Sequence, residues 1–327
     1  MNLDRAHRVD VPTYRLGEPR SARSRFPYGR TQRPRTAPSF GPVHHTGDRC
    51  RPRRDGGKCD HGRPLGCGTL HDANDPLVGQ PLCTDCYDCP AHVLWHAHAG
   101  KLWDRFVIGV RRQLASAVGL VQSRLSDHAR LSFARVAEYQ KRAAVHVHAV
   151  VRLDAPAGPN DEPPSWASAD RLADAVHGSE RRVLVRTPYS PAVGELALRW
   201  GVQVDARHLR ADRPGPDDHA VAAYLAKYVT KGASETGAGT DRRLTAWDDI
   251  DAAPVTDHVR ALMHTCWRLG GLPEYAPLHL RAWAHTLGAG ACAHVSPWSD
   301  AQWRRTNTAL GLEVSTHGRA RHHRRMR

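Results

Sequence analysis

Ala129-Arg-Leu-Ser-Phe-Ala-Arg-Val-Ala-Glu-Tyr-Gln140, Lys141-Arg-Ala-Ala144 and Val145-His-Val-His-Ala-Val-Val-Arg-Leu153 follow one another without interruption, and their reading decides the fold. The first run alternates apolar with polar residues and the last is rich in valine, while the four residues between them break the pattern. Two such runs about a short break predict an antiparallel hairpin. Side chains alternate across a strand, so His146 and His148 share one face while Val145, Val147 and Ala149 point to the other. Two imidazoles on one face can grip one divalent ion. A third ligand would come from the partner strand. Glu138 precedes the turn and can pair opposite the histidines; the alternative is a solvated glutamate or a charge pair with an arginine. His96-Ala-His98 repeats the spacing and reads as background in a chain with 22 histidines.

Upstream of the hairpin, Leu94, Trp95, Leu102, Trp103, Phe106, Val107, Val110, Leu114, Val118 and Val121 recur at helical spacing, which predicts one or two amphipathic helices between Val93 and Arg130. Before them lie six of the eight cysteines, between Cys50 and Cys89. The arrangement Cys59-x7-Cys67-x15-Cys83-x2-Cys86 combines a tight knuckle with a looser pair and suits tetrahedral structural zinc, with Cys50, His61, His71 and Cys89 as spare ligands. In a chain without an export signal such a cluster reads as metal ligands rather than disulfides. Residues 1–40 show no period and carry nine arginines among Pro, Ser and Gly, the composition of a disordered basic arm.

Downstream, residues 154–168 read as a loop. Asp217 or Asp218 would cap a helix over His219–Lys231 that Gly232 ends. That helix holds two overlapping Tyr-x-x-Lys units, Tyr224/Lys227 and Tyr228/Lys231, and the chain has only five lysines. One such pair would arise by chance about one time in ten, and two nested pairs far less often. Residues four apart share a helix face, so both phenols would look toward one site, each followed by an ammonium. The competing reading is a packed tyrosine pair with exposed lysines.

These parts suggest one reaction. Tyrosine is a poor nucleophile because its pKa lies near 10. A metal that polarises the attacked phosphate removes that difficulty, and a nearby lysine can hold the phosphate and favour the phenolate. The product is a covalent phosphotyrosine that keeps the bond energy for rejoining. A second tyrosine allows a second cut while the first is loaded, which is the chemistry of rolling-circle initiation.

At 327 residues the chain has room for roughly two domains. Its charge of +14 and pI near 9.9 point to a polyanionic partner, nucleic acid by default. No apolar run approaches the ~20 residues that cross a bilayer, and the N-terminus lacks a signal-peptide core. Neither a membrane nor an exported protein is expected, and the expected location is the cytoplasm. There is no internal repeat, and no Gly-x4-Gly-Lys-Ser/Thr loop for a nucleoside triphosphate.

Several segments together resemble the replication initiators of actinobacterial, streptomycete-type rolling-circle plasmids and integrative elements. They are Thr36-Ala-Pro-Ser-Phe-Gly-Pro-Val-His44, Cys59-Asp-His-Gly-Arg-Pro64, Gly79-Gln-Pro-Leu-Cys-Thr-Asp-Cys-Tyr-Asp88, Ala137-Glu-Tyr-Gln-Lys-Arg142 with His146-Val-His148, Ala223-Tyr-Leu-Ala-Lys-Tyr-Val-Thr-Lys231 and Arg281-Ala-Trp-Ala-His-Thr-Leu-Gly288. The nested tyrosines are also similar to those of the gene A proteins of small single-stranded DNA phages. The resemblance implies an α+β fold of the HUH endonuclease type, an antiparallel sheet flanked by helices, joined here to a Cys-rich zinc-binding module. It implies His146 and His148 as ligands of a catalytic Mg²⁺ or Mn²⁺, Tyr224 as first nucleophile and Tyr228 as second. The expected layout is a basic arm (1–40), a zinc module (41–92), an HUH core (93–235) and a mixed C-terminal region with a basic tail (236–327).

The resemblance has departures. Arg30-Thr-Gln-Arg-Pro-Arg35 stands where the family carries a strand, these initiators normally run well beyond this length, and Ala289–Trp298 replaces a basic Ser/Thr-rich ending. A chain truncated or divergent at both ends is therefore expected. Ala143 stands where a turn glycine is usual. The leading expectation is an enzyme that nicks and rejoins single-stranded or hairpin origin DNA, working with a host helicase and replication machinery. Its rival is a non-catalytic, zinc-containing DNA-binding remnant. A mobilisation relaxase is disfavoured because no three-histidine cluster surrounds His146-Val-His148.

Overall fold

The valine-rich run and its alternating partner pair as expected. In the computed structural model, which describes residues 40–46, 57–158, 161–201, 203–208, 243–287, 291–292 and 311–317, strand β1 (Arg130–Tyr139) runs antiparallel to β2 (Val145–Asp154). Those residues all belong to one unit of the chain, Arg33–Arg327. Ahead of the hairpin stands helix α1 (Cys89–Ala117), a single helix of 29 residues. Its start follows from local chemistry: Asp88 accepts the Ala91 N–H at 3.0 Å, and Pro90 occupies the first turn, where its missing N–H costs nothing. Gly119, at φ +72°, follows its end. A short 3-10 turn, Gln122–Asp127, leads into β1.

After the hairpin come α2 (Ala169–Glu180), β3 (Val185–Arg186), β4 (Ala197–Leu198), β5 (Gln203–His208), α3 (Trp247–Asp251), α4 (Asp257–Leu269), α5 (Leu280–Trp283), β6 (Ala291–Cys292) and β7 (Gly311–His317). Ser168 caps α2 and Thr256 caps α4, each through its hydroxyl. The main sheet has the order β5-β7-β2-β1-β6 with every neighbour antiparallel, and β3 pairs with β4 in a second, small sheet. The architecture is thus mixed helix with small antiparallel sheets. Among the described residues, no helix is long and apolar enough to cross a membrane.

Helix α1 supplies the core. Leu94, Leu102, Val110 and Leu114 are completely or almost completely buried, and Trp103 meets Phe133 of β1 edge-on at 5.1 Å between ring centroids. Gly109 lets α2 approach closely, since a Cβ there would meet the Ser179 side chain at 3.2 Å. Helix α4 buries Val259, Leu262, Met263 and Cys266. Strand β2 is buried on both faces along nearly its whole length, which fits its central place in the sheet. The hairpin turn, residues 140–144, closes through Ala143 N–H to Gln140 O (2.7 Å) and Gln140 N–H to Ala144 O (2.9 Å). Ala143 adopts φ +56°, the left-handed region that glycine enters without cost.

Candidate functional site

The β1–β2 register sets Glu138 opposite His146 and Val136 opposite His148. Directly paired residues of an antiparallel ladder stand on the same face. Positions 138, 146 and 148 therefore share one face, and the His146 and His148 rings lie with centroids 4.3 Å apart, both buried. The pairing continues outward: β7 sets Ser315 opposite His148, and β5 sets Asp205 opposite Ser315. Neither position is marked by the sequence, because its strand arrives from far along the chain. Further along the same face of β2, the buried Arg152 pairs with Asp154 (Nε to Oδ1, 2.8 Å), and Ser132 of β1 donates its hydroxyl to Asp154. Tyr224, Lys227, Tyr228 and Lys231, with the helix expected to carry them, lie outside the described residues. So do residues 1–39, including the Arg30–Arg35 segment.

The cysteine cluster differs from expectation at one ligand. Cys59, Cys83 and Cys86 come together as expected, but the fourth member is His61, with Nδ1 at 3.2 Å from Cys86 Sγ and 3.8 Å from Cys83 Sγ. A tetrahedral zinc, with bonds near 2.0 Å to nitrogen and 2.3 Å to sulfur, would hold such pairs about 3.6 Å apart, so the set fits the ion. Cys67 is the correction. It sits instead with His44 and His71, its Sγ 3.3 Å from His71 Nε2. The reason is spacing: Cys59-Asp-His61 forms a tight turn, with Gly62 N–H bonded to Cys59 O at 2.8 Å, so the nearer histidine fills the place. Cys89 opens α1 outside both groups, and Cys266 lies in the core. Cys59, Cys67, Cys83, Cys86, Cys89 and Cys266 are unbridged thiols.

The groups differ electrostatically. Desolvation works to raise the Cys59 thiol, but backbone donors at His61 and Arg63 and the thiols of Cys86 and Cys83 outweigh it and bring it down to about 7. Desolvation and the thiols of Cys83 and Cys59 push Cys86 up to about 12. Crowded thiols that resist joint ionisation are the ligands a dication relieves. In the second group, hydrogen bonds to Asp75 and then Cys67 raise His71.

This Cys/His segment braces the hairpin. Gly79, at φ +92°, lies so close to the turn that a Cβ would come within 2.7 Å of the Lys141 carbonyl carbon and 2.8 Å of Arg142 N. Lys141 donates its ammonium to Ala73 O. A chain of rings makes the second link. Val145 N–H donates to His96 Nε2 (3.3 Å), so that nitrogen is an acceptor and the 3.0 Å contact from His92 Nε2 carries the proton of His92. His92 Nδ1 then accepts from Tyr87 O–H at 2.9 Å. Desolvation, with neighbouring imidazoles and Arg142, holds His92 well below its ordinary pKa; burial and Arg142 bring His96 down to about 3. Phe40 stacks on His92 with centroids 4.4 Å apart, and His258 of α4 meets Tyr87 edge-on at 4.5 Å. The sequence reading missed this set; the signal available was His92 and His96 four apart on the apolar face of a helix.

Compared with known proteins, residues 24–321 match the family described as RepSA, replication initiator protein of pSAM2. The chain belongs to this family of replication initiators. A replication initiator protein of Streptomyces ambofaciens is 41% identical over 280 residues, which make up 84% of this chain and 56% of that protein. The chain thus spans little more than half the length of that relative. No solved structure matches. The region matched to the initiator family takes in both Cys/His groups, the hairpin and the nested tyrosines, so the parts assembled above are parts of one initiator sequence.

Proposed function

We propose that this initiator nicks and rejoins origin DNA through a covalent 5′-phosphotyrosine, starting rolling-circle plasmid replication on an HUH-type sheet. The observation that carries the reading is the register that sets Glu138 opposite His146 beside the buried His146/His148 pair. Two imidazoles and a carboxylate position on one face are a fitting donor set for a divalent ion, and the mixed nitrogen–oxygen character favours Mn²⁺ over Mg²⁺. Bound there, the ion would polarise the scissile phosphate and neutralise developing charge.

The chain's own groups do the rest. The Tyr224 phenol attacks phosphorus and gives up its proton; the P–O3′ bond breaks, and the departing 3′ oxygen takes a proton to become a hydroxyl. Tyr224 keeps the 5′-phosphate, and Tyr228 performs the second transfer. Lys227 and Lys231 hold the phosphate and favour the phenolate. The substrate is single-stranded or extruded hairpin DNA, drawn by a net charge of +14, and a host helicase and replication machinery would extend the nicked strand in the cytoplasm.

The test is incubation with origin single strands and Mn²⁺ or Mg²⁺, followed by a search for a denaturation-resistant protein–DNA adduct. Adduct is expected with wild type, more with Mn²⁺ than with Mg²⁺, and none with Tyr224→Phe/Tyr228→Phe. Should wild type and double variant behave alike while both bind DNA, the chain is a binding protein only.

A further inference from the structure

His44, Cys67 and His71 form a cluster that the sequence did not assemble, and it has the features of a built metal site. His44 Nδ1 lies 3.1 Å from His71 Nε2, and Cys67 Sγ lies 3.3 Å from the same nitrogen. Bond lengths near 2.0 Å to nitrogen and 2.3 Å to sulfur put tetrahedral neighbours about 3.3–3.6 Å apart. The second ring nitrogen of His71 is engaged as well: Nδ1–H donates to Asp75 Oδ2 at 2.6 Å. A carboxylate behind a ligating imidazole fixes the tautomer and aims the other nitrogen at the metal. Asp75 is itself pinned, accepting Leu77 N–H on Oδ1 at 2.8 Å. His44 is clamped by its backbone, donating to Gln80 O and accepting from Gly79 N–H, both at 2.9 Å.

The geometry points to a second zinc site, in which His44 Nδ1, Cys67 Sγ and His71 Nε2 hold Zn²⁺ and Asp75 positions His71. One thiolate and two imidazoles are a borderline-soft set that suits zinc better than a hard cation. Water completes the tetrahedron. The two sites interleave along the chain: His44 belongs to the second, Cys59 and His61 to the first, Cys67 and His71 to the second, Cys83 and Cys86 to the first. Each ion therefore closes loops that contain ligands of the other, and the second one ties the 40–46 segment to the loop that lies against the hairpin. Asp75 is the positioning residue of this arrangement. The site itself takes no part in the proposed nicking chemistry.

Metal content of the full chain, washed in excess Mg²⁺ to clear adventitious ions and measured by native mass spectrometry, tests the assignment. Wild type is expected to carry two zinc ions, and His146→Ala/His148→Ala also two, which excludes the hairpin as the second holder. His44→Ala/His71→Ala and Cys59→Ser/Cys83→Ser are each expected to keep one. Asp75→Asn should keep two but release one to a chelator about 10–100-fold more readily than wild type. If the histidine double variant does not fold, Co²⁺-substituted wild type decides. Stepwise chelation should then remove two ions whose thiolate charge-transfer bands differ about threefold, as three thiolates differ from one. A single zinc in wild type, or two retained in His44→Ala/His71→Ala, overturns the assignment.

Discussion

At the scale of single residues, two small side chains at the hairpin turn have opposite expectations. Gly79 is required twice over, by φ +92° and by the 2.7–2.9 Å approach of a Cβ to Lys141 and Arg142 backbone. Neither backbone can yield without opening the turn. Gly79→Ala should cost about 2–4 kcal/mol. Ala143 sits at φ +56° and is fully buried. Replacing it with glycine relieves about 1–2 kcal/mol of left-handed strain. The same change removes a buried methyl worth about 0.8 kcal/mol and loosens the unfolded chain by about 0.4–1 kcal/mol. The effects nearly cancel, so Ala143→Gly should change stability by less than about 0.5 kcal/mol. Denaturant midpoints at unchanged m-value check both, and a Gly79→Ala protein as stable as wild type would refute the close docking. The sequence marked position 143 as a turn but could not mark Gly79, because its partner lies some sixty residues away.

At the scale of elements, local patterns were readable and distant pairings were not. The apolar stripe of α1, the alternation of β1 and the valine run of β2 are set by residues within a few positions, and the structure has a helix and a strand pair there. The β2–β7 and β5–β7 pairings depend on chain returns that no local period records. The ring chain between α1, α4 and β2 was hidden for the same reason, and it carries a pH dependence. His96 is brought to about 3 by burial and Arg142. His258 falls to about 4 through burial and the Arg142 charge, against a hydrogen bond to Arg142 O that works the other way. His92 is lowered too, by burial and then by His96, His258 and Arg142. Tyr87 faces the same cluster and stays protonated, its pKa raised chiefly by burial. Unfolded imidazoles titrate near 6.5, so between about pH 6.5 and 4 the unfolded chain binds protons the folded chain refuses. Stability therefore falls as pH drops through that window, by up to about 1.4 kcal/mol per unit per imidazole. His96→Phe should reduce the slope of unfolding free energy against pH by one proton, whatever its effect on absolute stability. An unchanged slope would show that His96 is not held neutral.

At the scale of the whole molecule, the Cys/His segment and the hairpin are coupled through three kinds of contact. These are the backbone approach at Gly79, the Lys141 ammonium on Ala73 O, and the ring chain from Tyr87 to Val145 N–H. Val145 is the residue before His146, so whatever loosens the segment loosens the strand that carries the proposed catalytic ligands. Two classes of cation should then be separable by their effects. On the proposed mechanism, a mild chelator that strips only Mn²⁺ or Mg²⁺ should end adduct formation and leave origin binding intact, because that binding would rest on phosphate contacts that weaken linearly in log K with log salt. A thiol-directed reagent that expels zinc should also raise hydrogen exchange at the turn amides of Gln140, Ala143 and Val145, each of which now donates a hydrogen bond. The exchange should rise before the core amides of α1 respond, since that helix also packs on β1 through Trp103 and on α2 at Gly109. Zinc expulsion that leaves the turn amides as protected as before would mean the segment rests on the hairpin without bracing it.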